Sequence, residues 1–335
     1  MESVRLVVPV FNDWVSCSRL LQDLDLVAAS LPVRIAVSLV NDGSIETPDF
    51  SALPSLSNLE SVEIVHLSVN LGHQRAIAIG LCVAVEDNDC DAVLIMDADG
   101  EDSPHAIRTL LEAAAGKSNF CIVAKRRKRS ENFTFRLSYL IYKCVFKLLT
   151  ARQINFGNFS LLSRSYAQRL VRIPDLWNNL PAAILRSRLP IQFIPTDRAK
   201  RYAGESKMNF TSLVVHGLSG ISVYADTIFV RMLLLTMGVA AVAAVSIAVV
   251  LTLRIFFPLY ATPGWATTVS FGMIIILAQI FSVTLSSILM LLNNRVQRLI
   301  VPIADYRAYV EAREPLLGLG FRQTLEESLS IPEMQ

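Results

Sequence analysis

Along the first 125 residues, short apolar runs alternate with stretches of helical periodicity. The runs at 4–10, 34–40, 62–67, 92–96 and 120–124 are continuous and close on polar or glycine-containing breaks, as buried strands do. Between them, 16–30 places Leu20, Leu21, Leu24, Val27 and Ala28 at helical spacing. Residues 72–85 carry Ala76, Ile77, Ile79, Gly80, Val83 and Ala84, and 104–115 starts at Ser103-Pro104, a cap followed by proline in the first turn. The alternation predicts an α/β domain: a mostly parallel sheet with helices on both faces. In such sheets ligands bind beyond the carboxyl ends of the strands. Asn12-Asp13, Asn41-Asp42 and Asp97-Ala98-Asp99 all fall there.

After residue 228 the pattern changes. Residues 232–253 and 269–292 carry no charge, and each is longer than the roughly 20 residues that cross a hydrocarbon core. They predict two transmembrane helices over 231–255 and 266–293. The connector holds Pro258, Tyr260, Pro263, Gly264 and Trp265, a short loop with interfacial aromatics. Gly238, Gly272 and the Ser/Thr residues suit helix–helix contact in lipid. Arg231 precedes the first span and Arg295 and Arg298 follow the second, which places both termini in the cytoplasm, at the inner membrane of a bacterium. Residues 211–230 read either as amphipathic helices along the membrane surface or as an ordinary packing helix, with His216 structural. The expected organisation is therefore a cytoplasmic domain over 1–210, juxtamembrane helices over 211–230, the two spans, and a cytoplasmic tail over 294–335.

Composition adds little to this. The chain is 53% apolar with a net charge of +2, which excludes an ordinary soluble domain and gives no reason to expect a nucleic-acid partner. The five cysteines, Cys17, Cys82, Cys90, Cys121 and Cys144, show no paired spacing. They predict neither a disulfide framework nor a zinc site, but buried thiols in a reducing compartment. No signal peptide is expected, because the run after Met1-Glu2-Ser3 is too short.

The candidate chemistry sits at the end of the fourth strand. In Met96-Asp97-Ala98-Asp99 two carboxylates lie at a strand tip, where they either hold a hard divalent cation and through it a diphosphate, or serve as a turn or helix cap. Arg201 and Lys207 flank Gly204, in a loop suited either to closing over phosphates or to touching lipid headgroups. The densest basic run is Lys125-Arg126-Arg127-Lys128-Arg129, a phosphate contact or a solvated face against anionic lipid.

Taken in order, Val8-Pro9-Val10-Phe11-Asn12-Asp13, Val40-Asn41-Asp42-Gly43-Ser44, Asn70-Leu71-Gly72, Met96-Asp97-Ala98-Asp99, Phe156-Gly157-Asn158-Phe159 and Arg201-Tyr202-Ala203-Gly204-Glu205-Ser206-Lys207 resemble the dolichyl-phosphate mannosyltransferase-like branch of glycosyltransferase family 2. The resemblance covers roughly residues 4–225. It implies the GT-A (Rossmann-like) fold, a nucleotide-sugar donor, a polyprenyl-phosphate acceptor at the bilayer, and Mg2+ or Mn2+. It further implies that Pro9, Phe11 and Asp13 line the base and that Asp42 reaches the base or ribose. Asp97, with Ala98, would meet the nucleotide or sugar, and Asp99 would bind the metal with Asp97 beside it. Arg201, Lys207 and an arginine in the basic run, Arg126 or else Arg127, would meet phosphates. Relatives of this layout can be oligomeric, so a homo-oligomer is compatible.

The chain departs from the pattern at two positions. Asn158 stands where many bacterial relatives have an aspartate proposed as base, and Ser160 stands where an arginine is usual. A polyprenyl phosphate is already anionic near neutral pH and needs no base, whereas a sugar hydroxyl does. Asn158 thus fits a phosphate acceptor, or leaves the role to Asp13, Glu101 or Asp102, or marks a degenerate enzyme acting as a membrane scaffold. The expectation is an inverting transferase that passes a sugar to polyprenyl phosphate. The alternative acceptor is a hydroxyl of a lipid-linked saccharide or glycolipid.

Overall fold

The computed structural model describes residues 1–50, 53–126, 146–150, 152, 156–203, 218–256, 264–296 and 298–317. The expected strands form β1 (Ser3–Val10), β2 (Arg34–Asn41), β3 (Ser61–Leu67), β4 (Ala92–Ile95) and β5 (Cys121–Arg126). The expected helices form α1 (Trp14–Ala28), α2 (His73–Asp87) and α3 (Ala106–Ala114). Three further strands, β6 (Ser160–Ser163), β7 (Ile191–Thr196) and β8 (Val310–Leu317), complete a sheet ordered β7-β5-β6-β4-β1-β2-β3-β8. Only β6 and β8 run against the others, so the sheet is mostly parallel, as expected.

Alternation along β1 builds a core on each face of the sheet. Val4, Leu6, Val8 and Val10 point to the side that buries Leu20, Leu21 and Leu24 of α1 and Leu110 of α3. Val7 points to the other side, against Ile77 and Leu81 of α2. That contact is close because Gly80 has no side chain: a Cβ there would stand 2.4 Å from Val7 Cγ1 and 2.7 Å from Val40 Cγ2.

The helix boundaries differ from expectation by up to two residues, the first helix spanning Trp14–Ala28 rather than 16–30. The third helix begins at Ala106 rather than at residue 104, because Ser103 and Pro104 form a preceding turn that accepts the Ala106 and Ile107 N–H groups at 2.9 and 3.1 Å. The second runs on to Asp87 and is closed by Asn88 in the left-handed region, φ 61°.

The strand β8 lies outside the expected set. It pairs antiparallel with β3 and contributes Arg313 to a buried ion network. The Arg313 guanidinium donates to Glu63 at 2.6 Å and to Asp87 at 2.6 Å, while Arg5, only 2% exposed, reaches the same Glu63 at 3.0 Å and also pairs with Asp87 and Asp89. Charges that would be costly to bury singly are thus mutually compensated.

The described residues divide into two compact units. One comprises those of Met1–Tyr139, Ile154–Val223 and Ile300–Gln335; the other comprises those of Leu140–Gln153 and Tyr224–Leu299. The second unit contains two helices, Ala225–Phe256 and Trp265–Met290 (the latter part of a longer helix, Trp265–Val296), that are long and apolar enough to cross a membrane. They contain the run 232–253 and most of the run 269–292. Among the described residues a Cβ at Gly238 or Gly272 would meet nothing within 4 Å, so neither glycine marks a close seam between these two helices.

Candidate functional site

Strands β4, β1 and β2 are neighbours, so the loops leaving their carboxyl ends lie side by side. These loops carry Asp97 to Asp99, Phe11 to Asp13, and Asp42 to Ser44 respectively. Polar side chains stitch the last two together. Asn12 Oδ1 accepts the Ile45 N–H at 2.9 Å, and the Asn12 N–H donates to Ser44 Oγ at 3.0 Å. Gly43, at φ 65°, could not carry a Cβ, which would fall 2.6 Å from the Asn70 backbone nitrogen.

Asp42 is buried. Its two carboxylate oxygens accept the backbone N–H groups of Leu71 and Gly72, at 2.7 and 2.9 Å. Burial pushes its pKa up and outweighs those hydrogen bonds. The carboxylate therefore fastens β2 to the segment that leads into α2.

The segment after β7 crosses back to the tip of β4. The backbone of Arg198 forms an antiparallel β-bridge with that of Asp102 and its side chain pairs with Glu101, the Ala199 N–H donates to the Glu101 carbonyl at 3.0 Å, and the Tyr202 N–H donates to the Asp99 carbonyl at 3.0 Å. The Tyr202 hydroxyl donates to Asp23 of α1 at 2.7 Å. Its ring lies over Gly100, where a Cβ would come within 2.3 Å of it. Arg201 is thereby set between two carboxylates, with Asp13 and Asp99 each 3.4 Å away. Glu101 and Asp102 are both engaged in holding this loop.

Asp99 Oδ1 also accepts the Glu101 N–H at 2.9 Å. Its pKa is raised, first by burial and then by the charge of Asp97, with the Arg201 cation opposing. Two carboxylates that disfavour each other's ionisation are a site that a divalent cation relieves. Among the described residues no group of three or more His, Cys, Asp or Glu is placed to hold a metal. A cation held by Asp97 and Asp99 would take one or two protein carboxylates and complete its shell with phosphate oxygens and water, as Mg2+ does.

Asp97 has neighbours that the sequence pattern does not single out. His73 Nε2, from the first turn of α2, lies 3.2 Å from Asp97 Oδ1. Partial desolvation works against charge on His73, whose side chain is still 44% exposed, but Asp97, and less strongly Asp42 and Asp99, outweigh it and raise its pKa. Asn158 Nδ2 lies 3.0 Å from His73 Nε2 and 3.5 Å from Asp97 Oδ1, and Asn158 Oδ1 accepts from Gln74 Nε2 at 3.0 Å. Ser160, fully buried at the start of β6, donates to the Asn158 carbonyl at 2.9 Å. The signal available in the sequence is the polar run His73-Gln74-Arg75, directly after Asn70-Leu71-Gly72, opening a helix that is then apolar from Ala76 to Val85.

Of the other expected site residues, Pro9 is buried in β1, Phe11 is 41% exposed just beyond it, and Ala98 is buried. Arg126 ends β5 in register with Thr196. Lys207 and Arg127 lie outside the described residues. The structure thus brings Asp13, Asp97, Asp99 and Arg201 together, and holds Asp42 beside them through the backbone.

Residues 6–178 match the glycosyl transferase family 2 model. An uncharacterized glycosyltransferase, sll0501, of Synechocystis is 24% identical over 220 residues, covering 65% of this chain and 68% of that protein. The uncharacterized glycosyltransferase YkoT of Bacillus subtilis is 26% identical over 230 residues, covering 66% and 67%. Glucosyl-3-phosphoglycerate synthase from Mycobacterium tuberculosis, solved with Mn2+, uridine-diphosphate-glucose and phosphoglyceric acid, superposes with a TM-score of 0.49 at 14% identity, covering 68% of this chain and 80% of that one. With the family model spanning more than half of the chain, including Asp13, Asp42, Asp97 and Asp99, the chain belongs to glycosyl transferase family 2 and is a glycosyltransferase.

Proposed function

We propose that this enzyme transfers a sugar from a nucleotide sugar to polyprenyl phosphate at the cytoplasmic leaflet of a membrane, with inversion at the anomeric carbon. The observation that carries the donor half is Arg201 set between Asp13 and Asp99 at the tips of β1 and β4. The two long apolar helices and the amide at Asn158 support the acceptor half.

In this reading Asp99, with Asp97 beside it, holds Mg2+ or Mn2+, which when bound offsets charge on the donor diphosphate. Pro9, Phe11 and Asp13 flank the base. Arg201 is a fixed cation that can turn from its carboxylate partners to a phosphate, and Lys207 and Arg126 are proposed to add to it. Cations count most as the nucleoside diphosphate leaves, because that is when negative charge accumulates there. The acceptor phosphate oxygen is already anionic and attacks from the opposite face in one displacement, so Asn158 need not take a proton. The apolar helices anchor the chain where such an acceptor resides, with both termini cytoplasmic.

The test is a donor screen with the purified full chain, undecaprenyl phosphate and Mn2+ or Mg2+, scoring lipid-soluble label. A product that loses its label in mild acid supports the phosphate acceptor. An acid-stable product assigns a hydroxyl acceptor on a lipid-linked saccharide or glycolipid instead. No product with any donor refutes the reading and leaves the scaffold role.

A further inference from the structure

The polar groups at the start of α2 form a chain whose direction is fixed at its buried end. The Leu180 backbone N–H, fully buried, donates to Gln74 Oε1 at 2.8 Å. A backbone N–H can only donate, so the amide oxygen of Gln74 must face it and Nε2 must face away. Gln74 Nε2 lies 3.0 Å from Asn158 Oδ1. That contact in turn sets the Asn158 amide with Nδ2 on the side of Asp97 Oδ1, 3.5 Å away, and of His73 Nε2, 3.0 Å away, which accepts from it only in the tautomer that leaves Nε2 without a proton. Flipping either amide would set N–H against N–H. Gln74 is itself buried, and it opens a helix locked against β1 by the Gly80–Val7 contact.

We propose that Gln74 and Asn158 are positioning residues: a relay anchored on the Leu180 N–H that aims an amide N–H at the Asp97 carboxylate and holds it in place for the donor. This rests on the reading of Asp97 as a donor-site carboxylate. It gives Asn158 a role of its own, as a hydrogen-bond donor rather than a disabled base. An aspartate at position 158 would accept from Gln74 with one oxygen and turn the other toward Asp97, carboxylate against carboxylate. The residues at positions 74 and 158 are therefore matched.

The experiment is a double-mutant cycle on the full chain in detergent, read by kcat and by calorimetric affinity for a nucleoside diphosphate with Mn2+. Gln74→Glu keeps the acceptor for Leu180 and removes the donor to Asn158. Asn158→Ala removes the amide. Each lowers kcat about 10-fold or more, the usual effect of losing a hydrogen bond to a charged group. Each also weakens nucleotide binding, and the lipid-acceptor KM and unfolding midpoint stay near wild type. The double variant is no worse than Asn158→Ala alone, because both residues act through one chain. A through-space effect of the carboxylate that Gln74→Glu introduces would persist in the Asn158→Ala background, so multiplying effects overturn the relay. So does wild-type kcat in Gln74→Glu, or a gain of activity in Asn158→Asp. A wild-type chain that binds no nucleotide overturns the donor-site reading and the relay with it, whereas intact wild-type binding with multiplying losses overturns the relay alone.

Discussion

Replacing Gly80 with alanine tests how the packing of α2 reaches the site. The added methyl would stand 2.4 Å from Val7 Cγ1 and 2.7 Å from Val40 Cγ2, where ordinary carbon contacts are about 3.5–4.0 Å. Both valines are fully buried, so the helix must lift by about 1 Å or the valines must leave their rotamers. Such overpacking costs about 1–3 kcal/mol, against which alanine returns about 1 kcal/mol in helix preference. The net is a loss of up to about 2 kcal/mol, a fall of up to about 8 °C in unfolding midpoint for a domain of this size. Because α2 carries His73 and Gln74 in its first turn, a lift of that order also displaces His73 from Asp97 and Gln74 from Asn158, and misplacement by about 1 Å can cost up to about 100-fold in rate. Adding Val7→Ala removes the closer methyl, so the double variant should be more stable than the two single effects predict, by about 0.5 kcal/mol or more. The assay is thermal unfolding of the full chain in detergent at a fixed scan rate, beside sugar transfer. A Gly80→Ala protein more stable than wild type would show that propensity alone decides, and would refute the packing argument.

Three other outcomes follow from the structure. Arg313→Ala leaves Glu63 and Asp87 short of a cation and should cost about 3 kcal/mol, whereas Arg307→Ala, which removes an exposed pair with Glu86, should cost under about 1 kcal/mol by the same unfolding assay. Burial raises the thiol pKa of Cys17, Cys82, Cys90 and Cys121, that of Cys90 to about 11, so Ellman's reagent should label none of the four until guanidinium unfolds the chain, as peptide mass mapping would show. Arg201→Gln should weaken nucleoside-diphosphate affinity about 10-fold or more by calorimetry, and unchanged affinity would remove Arg201 from the donor site.

The first five strands and three helices are legible in the sequence because each buries a continuous or periodic apolar pattern. The strands β6 to β8 are not. The first is four residues long, β7 contains Pro195, and β8 reads Val310-Glu311-Ala312-Arg313-Glu314-Pro315, a polar stretch that pairs through ion contacts with residues some 250 positions earlier. Long-range charge compensation of that kind leaves no local period. At the site, the adjacency of Asp13, Asp42 and Asp99 follows from parallel topology alone. The return of Arg201 to the β4 tip depends on the Arg198, Ala199 and Tyr202 contacts, which only the fold displays. His73 and Gln74 are hidden for a related reason: their partners Asp97, Asn158 and Leu180 are remote in sequence.

The central claim is that Asp99 shares a divalent cation with the donor diphosphate. Electron paramagnetic resonance of Mn2+ tests it directly, since the free-ion signal falls as the ion is bound. A marked loss of free signal is expected when the full chain is added together with a nucleotide sugar, a smaller loss with the chain alone, and no chain-dependent loss with Asp99→Asn. Equal loss with Asp99→Asn would contradict it.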